Sequence, residues 1–415
     1  MEISKRDVLE LRRRLTKKGC SFQQMAGCYV NGEKEILLEF TESFTDLSED
    51  EFFKYLEIAK KALSGTLGSN LLDLEFDRGQ EADERQRFLL TLKSSKLKNP
   101  DLLRRFYEQV IAQYDNPGNY LILVFHDIYD VITRAKDRAK LDESEEVYEY
   151  IICAICPVEL SKPGLGYREE ENRIGLRERD WVVGLPEIGF LYPSFRNRGS
   201  DVNALLYYIK NGKEIHPTFV EQALGCQTKR TAYEEKQTFQ EIVQDAFGAQ
   251  SDQADAAFVA LQRNLNGLIE VEERGESPLT TSEVSGLLED VEMPQEVREQ
   301  IERDYQQTFG DALPAAGHLL DRKLAEEGMR RAQTMELQSQ IVSLQQQLQQ
   351  TQAEGALPDR ILQLVPSERR GQVRTQILDG QRYLLIPLAD GETMAADGAA
   401  QAEQAPASDD RVPWD

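Results

Sequence analysis

Histidine, tryptophan and cysteine are scarce: three, two and five residues in a chain of 415. His126, His216 and His318 are far apart in sequence, and no paired histidine stands at metal-ligand spacing, so a histidine-based zinc site is not indicated. Cys20, Cys28, Cys153, Cys156 and Cys226 are odd in number and scattered, which argues against a disulfide framework and for a reducing compartment. No apolar run is long enough to span a bilayer; His126 and Asp127 interrupt the best one. Residues 1–10 lack the apolar core of a secretory signal. A cytoplasmic protein without membrane attachment is expected. Positive charge is short as well, with 49 lysines and arginines against 73 acids and a formal net charge of −24. Bulk electrostatics then repel nucleic acid, and any contact with DNA needs a local basic patch.

What the sequence does hold is a pair of apolar runs, 119–130 and 147–157, rich in β-branched and aromatic residues. Such runs fit strands buried on both faces. They predict two adjacent central strands, joined by an exposed charged connection over 133–146. Residues 25–30 and 35–40 flank Asn31-Gly32, the best hairpin signal in the chain. Helices are expected over 51–63, with Ser48 as N-cap, and over 84–92 and 100–114, with a strand over 71–76. A loop should follow Pro157, then one short strand and an aromatic-rich loop over 180–193. Residues 202–209 read as the start of a helix carrying Leu205, Leu206 and Tyr208.

Beyond residue 217 the period turns helical, with helices expected over 218–224, 232–247, 252–268, 281–288 and 294–309. From residue 266 to 318 acids outnumber bases thirteen to three, which makes this helical half a poor reader of DNA. In the Gln-rich run 319–352, Leu337, Ile341, Leu344 and Leu348 stand at 4-3-4 spacing, a short heptad seam. It fits self-association as a coiled coil, or a single helix packed on its own domain. Strands are expected over 361–365, 372–378 and 383–388, the last two turning at Asp379-Gly380. The fold class is therefore α+β, with a mixed, mainly antiparallel sheet. The layout is an α+β domain (1–212), a helical domain (213–318), a Gln-rich helix (319–355), a small β-meander (356–390) and a disordered tail (391–415).

No stretch carries a catalytic signature, and no cofactor is implied. Cys153-Ala-Ile-Cys156 lies inside a strand, where positions i and i+3 point to opposite faces, so buried structural cysteines are expected. His126, beside Asp127 and near Asp130, reads as a satisfied strand-end histidine or as a general base. The glycine-rich segment 64–70 lacks the Gly-Lys-Ser/Thr ending of a phosphate loop and follows a helix, so it reads as helix termination. Asp73, Glu75 and Asp77 share one strand face: either a solvated surface or a carboxylate set for the Mg²⁺ of a nuclease.

Two basic features stand out. Lys5, Arg6, Arg12, Arg13, Arg14, Lys17 and Lys18 decorate an amphipathic helix, either a face docked on the acidic body or a phosphate-contacting arm. Arg173, Arg177, Arg179, Arg196 and Arg198 interleave with Tyr192 and Phe195, the composition of a nucleic-acid surface, although neighbouring acids would also explain them as local ion pairs.

Several strings resemble a bacterial family of unknown function over most of the chain. They are the segment 27–32 (Gly-Cys-Tyr-Val-Asn-Gly), 63–68 (Leu-Ser-Gly-Thr-Leu-Gly), Ile155-Cys-Pro-Val158, Trp181-Val-Val183, 186–191, 203–208 and 377–385. The resemblance brings no known activity. The order of elements is also similar to that of the bacterial nucleoid-associated protein family, which implies chromosome association without catalysis. The expectation is a non-enzymatic binding protein, nucleoid-associated and contacting nucleic acid or chromosome-bound partners through Lys5, Arg6, Arg12, Arg13, Arg14, Lys17, Lys18, Arg196 and Arg198. The alternatives are a protein–protein adaptor that avoids DNA and a metal-dependent nuclease.

Overall fold

The computed structural model describes residues 3–131, 146–248, 251–272, 275–310, 312–353, 371, 374–378 and 381–385. Helix α1 (Lys5–Arg14) starts on a capping box: Ser4 Oγ accepts from the Asp7 amide, and the Asp7 carboxylate accepts from the Ser4 amide. β1 (Gln24–Val30) and β2 (Ile36–Ser43) form the expected hairpin. Its turn is longer than two residues. Asn31 Oδ1 accepts from the amides of Glu33 and Glu35, and the left-handed residue is Lys34, at φ 64°. α2 (Glu49–Lys61) opens on a Ser48–Glu51 capping box, and β3 (Leu71–Glu75) follows. α3 (Gln80–Ser94) and α4 (Pro100–Gln113) come next, the latter capped by Asn99 with proline in its first turn.

β4 (Asn119–Val131) and β5 (Glu146–Leu160) pair antiparallel in unbroken register from Asn119 opposite Val158 to Val131 opposite Glu146. Their alternation serves two cores at once. Tyr120, Ile122, Val124, Cys153 and Ile155 face a core completed by α3 and α4. Leu121, Leu123, Phe125, Ile152 and Ala154 face another completed by α1 and α2. Helices on both sides explain why both runs are apolar throughout instead of alternating. The expected connection over 133–146 lies outside the described residues, apart from Glu146.

Beyond β5 the chain makes more strand than loop. β6 (Leu165–Arg168) and β7 (Arg173–Leu176) form a separate two-stranded ribbon, and β8 (Trp181–Val183) pairs with the end of β5. β9 (Ile188–Tyr192), β10 (Ser194–Arg196), β11 (Gly199–Asp201) and β12 (Ala204–Ile209) follow. The main sheet has the order β2-β1-β4-β5-β9-β12-β3, and every pairing in it is antiparallel. The helix expected over 202–209 is β12. Leu205, Tyr207 and Ile209 enter one core while Leu206 and Tyr208 enter the other. A six-residue apolar run is too short for its period to tell a two-faced strand from a buried helix.

A π-helical segment, Phe219–Leu224, buries Phe219, Val220 and Leu224 in the core under α3 and α4. α5 (Ala232–Phe247), α6 (Ser251–Glu272), α7 (Thr281–Glu289), α8 (Gln295–Phe309) and the short α9 (Ala316–Leu319) gather around a third core, centred on Phe239, Phe258, Leu261 and Tyr305. α10 (Arg322–Ala353) is the Gln-rich helix, and β13 (Arg374–Leu378) and β14 (Gln381–Leu385) form an antiparallel ribbon. The strand expected over 361–365, the turn at 379–380 and the tail over 391–415 lie outside the described residues. Contacts divide the chain into the units Met1–Arg331 and Ala332–Asp415. Among the described residues, no helix is long and apolar enough to cross a membrane.

Candidate functional site

The carboxylates on β3 face an arginine. Arg196, at the end of β10, places Nη2 2.8 Å from Asp73 Oδ2, and its Nη1 lies 3.3 Å from Glu75 Oε1 and 2.9 Å from Asp201 Oδ2. Asp73 also accepts from the Ile3 amide at 3.0 Å and from Ser194 Oγ at 3.3 Å. Burial works against the charge of Arg196, but Asp73 and then its other carboxylates outweigh it and hold the guanidinium pKa above its ordinary value. Asp73 is therefore buried against Arg196, whereas Glu75 reaches the same guanidinium from a solvent-exposed position at the strand end. Asp77 lies past the end of the strand, where Gln227 and the Arg78 amide donate to it. Among the described residues, no three His, Cys, Asp or Glu side chains are grouped to hold a metal ion.

A second cluster surrounds Asp127, which is buried within β4. Tyr150 and Ser21 donate to its carboxylate, and Arg14 Nη1 lies 3.6 Å away. Arg14 stacks on the Tyr129 ring at 3.7 Å, Tyr129 donates to Glu10, and Arg198 Nη2 reaches the same Glu10 oxygen at 2.9 Å. Burial, reinforced by the neighbouring Asp127 charge, keeps Tyr150 well above the ordinary tyrosine pKa. Next to it, His126 Nε2 lies 3.0 Å from Glu149, which Lys93 also approaches at 3.0 Å. Burial lowers the His126 pKa, against a smaller opposing effect of Glu149. The histidine expected at a strand end instead lies inside β4, which pairs on to Val131, and its partner is Glu149, which no spacing rule points to.

The remaining candidates are structural. Cys153 and Cys156 sit in opposite cores. Gly68, at φ 78°, lets the His318 ring lie against its backbone, and its carbonyl accepts from the Ala232 amide. The glycine-rich segment thereby fastens the sheet to the start of α5 as well as ending α2. A shallow depression is lined by Tyr114, Glu187, Lys210 and His216, with Tyr114 donating to Glu187 at 3.4 Å. No serine, threonine or cysteine lines it.

The two basic features meet at Arg198, but through the acids of α1. Arg198 bonds Glu10, and its amide donates to Asp7. Arg196 is buried, Arg14 is turned inward and Arg12 is half-buried, while Lys17 pairs with Glu49. Lys5, Arg6, Arg13 and Lys18 are exposed.

The family described as Domain of unknown function (DUF4317) has a profile that matches residues 3–399. The chain belongs to this family. The full-length resemblance carried by the motifs above is thereby shown. No curated protein matches the chain. In this DUF4317 chain the polar clusters missed from sequence are those built on Asp127 and on Arg196. The available signal was an acid within an otherwise apolar strand: Asp127 after Tyr120–His126, and Asp73 between Leu72 and Leu74. Their partners lie far away in sequence, and Arg14 and Arg196 stood out only as basic residues, with nothing to show that they pair with these acids.

Proposed function

We propose that this protein is a non-catalytic binding protein that works as a pair, two copies joined along the second half of α10. One observation carries the reading. Leu337, Ile341 and Leu344, a seam at heptad spacing, are 59%, 53% and 57% exposed. Residues 333–347 are exposed throughout. Ile341 occupies an a position between Leu337 and Leu344 at d, a combination that favours two parallel strands, and Leu348 supplies the next a position. The flanking e and g positions, Gln338, Gln340, Gln345 and Gln347, carry no charge. Within 332–353 only Glu336 is charged, so two copies approach there without the repulsion that −24 imposes elsewhere. Binding in place of catalysis is supported by the buried clusters, whose charges are paired within the fold. Measuring the solution mass with and without Ile341→Asp/Leu344→Asp tests the pairing. A mass of one chain that the substitutions leave unchanged rejects it.

A second reading, that the partner is nucleic acid in a nucleoid-associated role, is favoured by α1. Lys5, Arg6 and Arg13 on α1, and Lys18 just beyond it, are exposed and have no ion-pair partner among the described residues, which leaves positive charge open on an acidic protein. Binding of duplex DNA that weakens steeply with salt and disappears in Arg6→Glu/Arg13→Glu supports this reading. No shift of DNA at low salt rejects it and leaves a protein partner.

A further inference from the structure

The β6–β7 ribbon is apolar on one face and closed on the other. Leu165 stands opposite Leu176, and Tyr167 opposite Ile174. These four share a face and are 73%, 71%, 62% and 63% exposed. On the reverse face Gly166 pairs with Gly175 and Arg168 with Arg173. There Arg168 donates to the Leu176 carbonyl, and both arginines pair with Glu171. Tyr167 OH donates to Asn172 Oδ1 at 2.8 Å, and Asn172 takes the left-handed turn conformation at φ 45°. The ribbon is thus shaped in advance by its own polar contacts. It presents apolar surface on the order of 500 Å², about the largest patch a monomer leaves open.

We propose that this face pairs with the same face of a second copy, the two ribbons stacked antiparallel. The argument for a second copy is charge. Between residues 162 and 180 the chain holds five bases and five acids, a neutral stretch in a protein of net charge −24. The signs are also sorted along its length. The tip carries three acids, Glu169, Glu170 and Glu171, against Arg168 and Arg173. The base carries Lys162, Arg177 and Arg179 against Glu178 and Asp180. Glu169, Glu170, Lys162 and Arg177 are exposed and have no ion-pair partner among the described residues. A two-fold axis lying between the ribbons and across their length sets each acidic tip over the other's basic base. An axis along their length would set tip on tip, acid on acid. The buried area falls short of the ~800 Å² per partner of a standard interface, so the pairing is weak, about micromolar or weaker.

This contact is independent of the α10 seam, so it is tested in a chain carrying Ile341→Asp/Leu344→Asp. Sedimentation equilibrium of that chain should show a reversible monomer–dimer exchange, lost on adding Tyr167→Ser/Ile174→Ser. Glu169→Arg/Glu170→Arg should weaken it at least tenfold, and adding Lys162→Glu/Arg177→Glu should restore it. A monomer at every concentration, a dimer indifferent to Tyr167→Ser/Ile174→Ser, or a charge reversal without rescue overturns the proposal. Comparing the parent chain with its α10 variant reports separately on the seam.

Discussion

Arg196 and Asp73 meet 2.8 Å apart, the two side chains only 7% and 8% exposed, and join β10 to β3 across 123 residues of sequence. A buried pair of this kind contributes less as a pair than it costs to break, because removing one partner strands the other charge. Arg196→Met should destabilise the fold by about 3–5 kcal/mol, the usual range for breaking a buried pair. Arg196→Met/Asp73→Leu should cost clearly less than the sum of the two single changes. Denaturant midpoints of the four proteins supply the cycle. Additive losses would mean that the two charges do not depend on each other.

The acid response of the fold should come in two steps. His126 is buried and its pKa lowered, so the unfolded chain takes up the proton more readily. Its contribution is complete above its ordinary value near 6.5 and is lost as the pH falls from there towards the folded value. His216, also lowered by burial, shares that window. Burial pushes Glu149 up, but hydrogen bonds from Lys93 and His126 outweigh it and leave its pKa below the ordinary value. Its contribution holds above about pH 4.5 and is lost below. Urea midpoints should therefore fall first just below pH 6.5 and again below pH 4.5. His126→Asn should flatten part of the first step, and His126→Asn/His216→Asn most of it. An unchanged first step in the double variant would contradict the assignment.

Thiol chemistry should follow burial. Burial raises the Cys20 pKa to about 11, with the Phe22 amide pulling the other way. Burial takes Cys156 to about 12 and raises Cys153 and Cys226 further. Iodoacetamide at mildly alkaline pH should label half-buried Cys20 first and the other four only on unfolding. Rapid native labelling of Cys153 or Cys156 would show that the sheet opens locally.

Gly68 should tolerate no side chain. A Cβ there would lie 2.1 Å from the His318 ring, on a backbone at φ 78°. Gly68→Ala should cost about 1–3 kcal/mol from strain alone. Adding His318→Ala should recover the part due to the clash, and thermal melts of the single and double variants separate the two. Equal losses in both backgrounds would place the whole cost in the backbone.

The central sheet was legible because strands buried on both faces leave long, uniformly apolar runs such as 119–126 and 151–156. β12 was not, since six apolar residues have no distinctive period. The β6–β7 ribbon was masked by its charges: Glu169 to Arg173 read as loop, and the pairing of Leu165 with Leu176 and of Tyr167 with Ile174 shows only once the strands are aligned. The basic helix was legible as a helix, but the inward turn of Arg14 depends on Asp127, more than a hundred residues on. Composition points to charged residues, and only the fold shows which of them are already neutralised.

The account depends most on two copies meeting along α10. Sedimentation equilibrium of the full chain measures this directly. At concentrations too low for the weak β6–β7 contact to form, the predicted mass is near twice the 47.3 kDa of one chain, falling to a single chain in Ile341→Asp/Leu344→Asp. A single-chain mass of the parent at every concentration, or a low-concentration dimer that those substitutions leave intact, would contradict it.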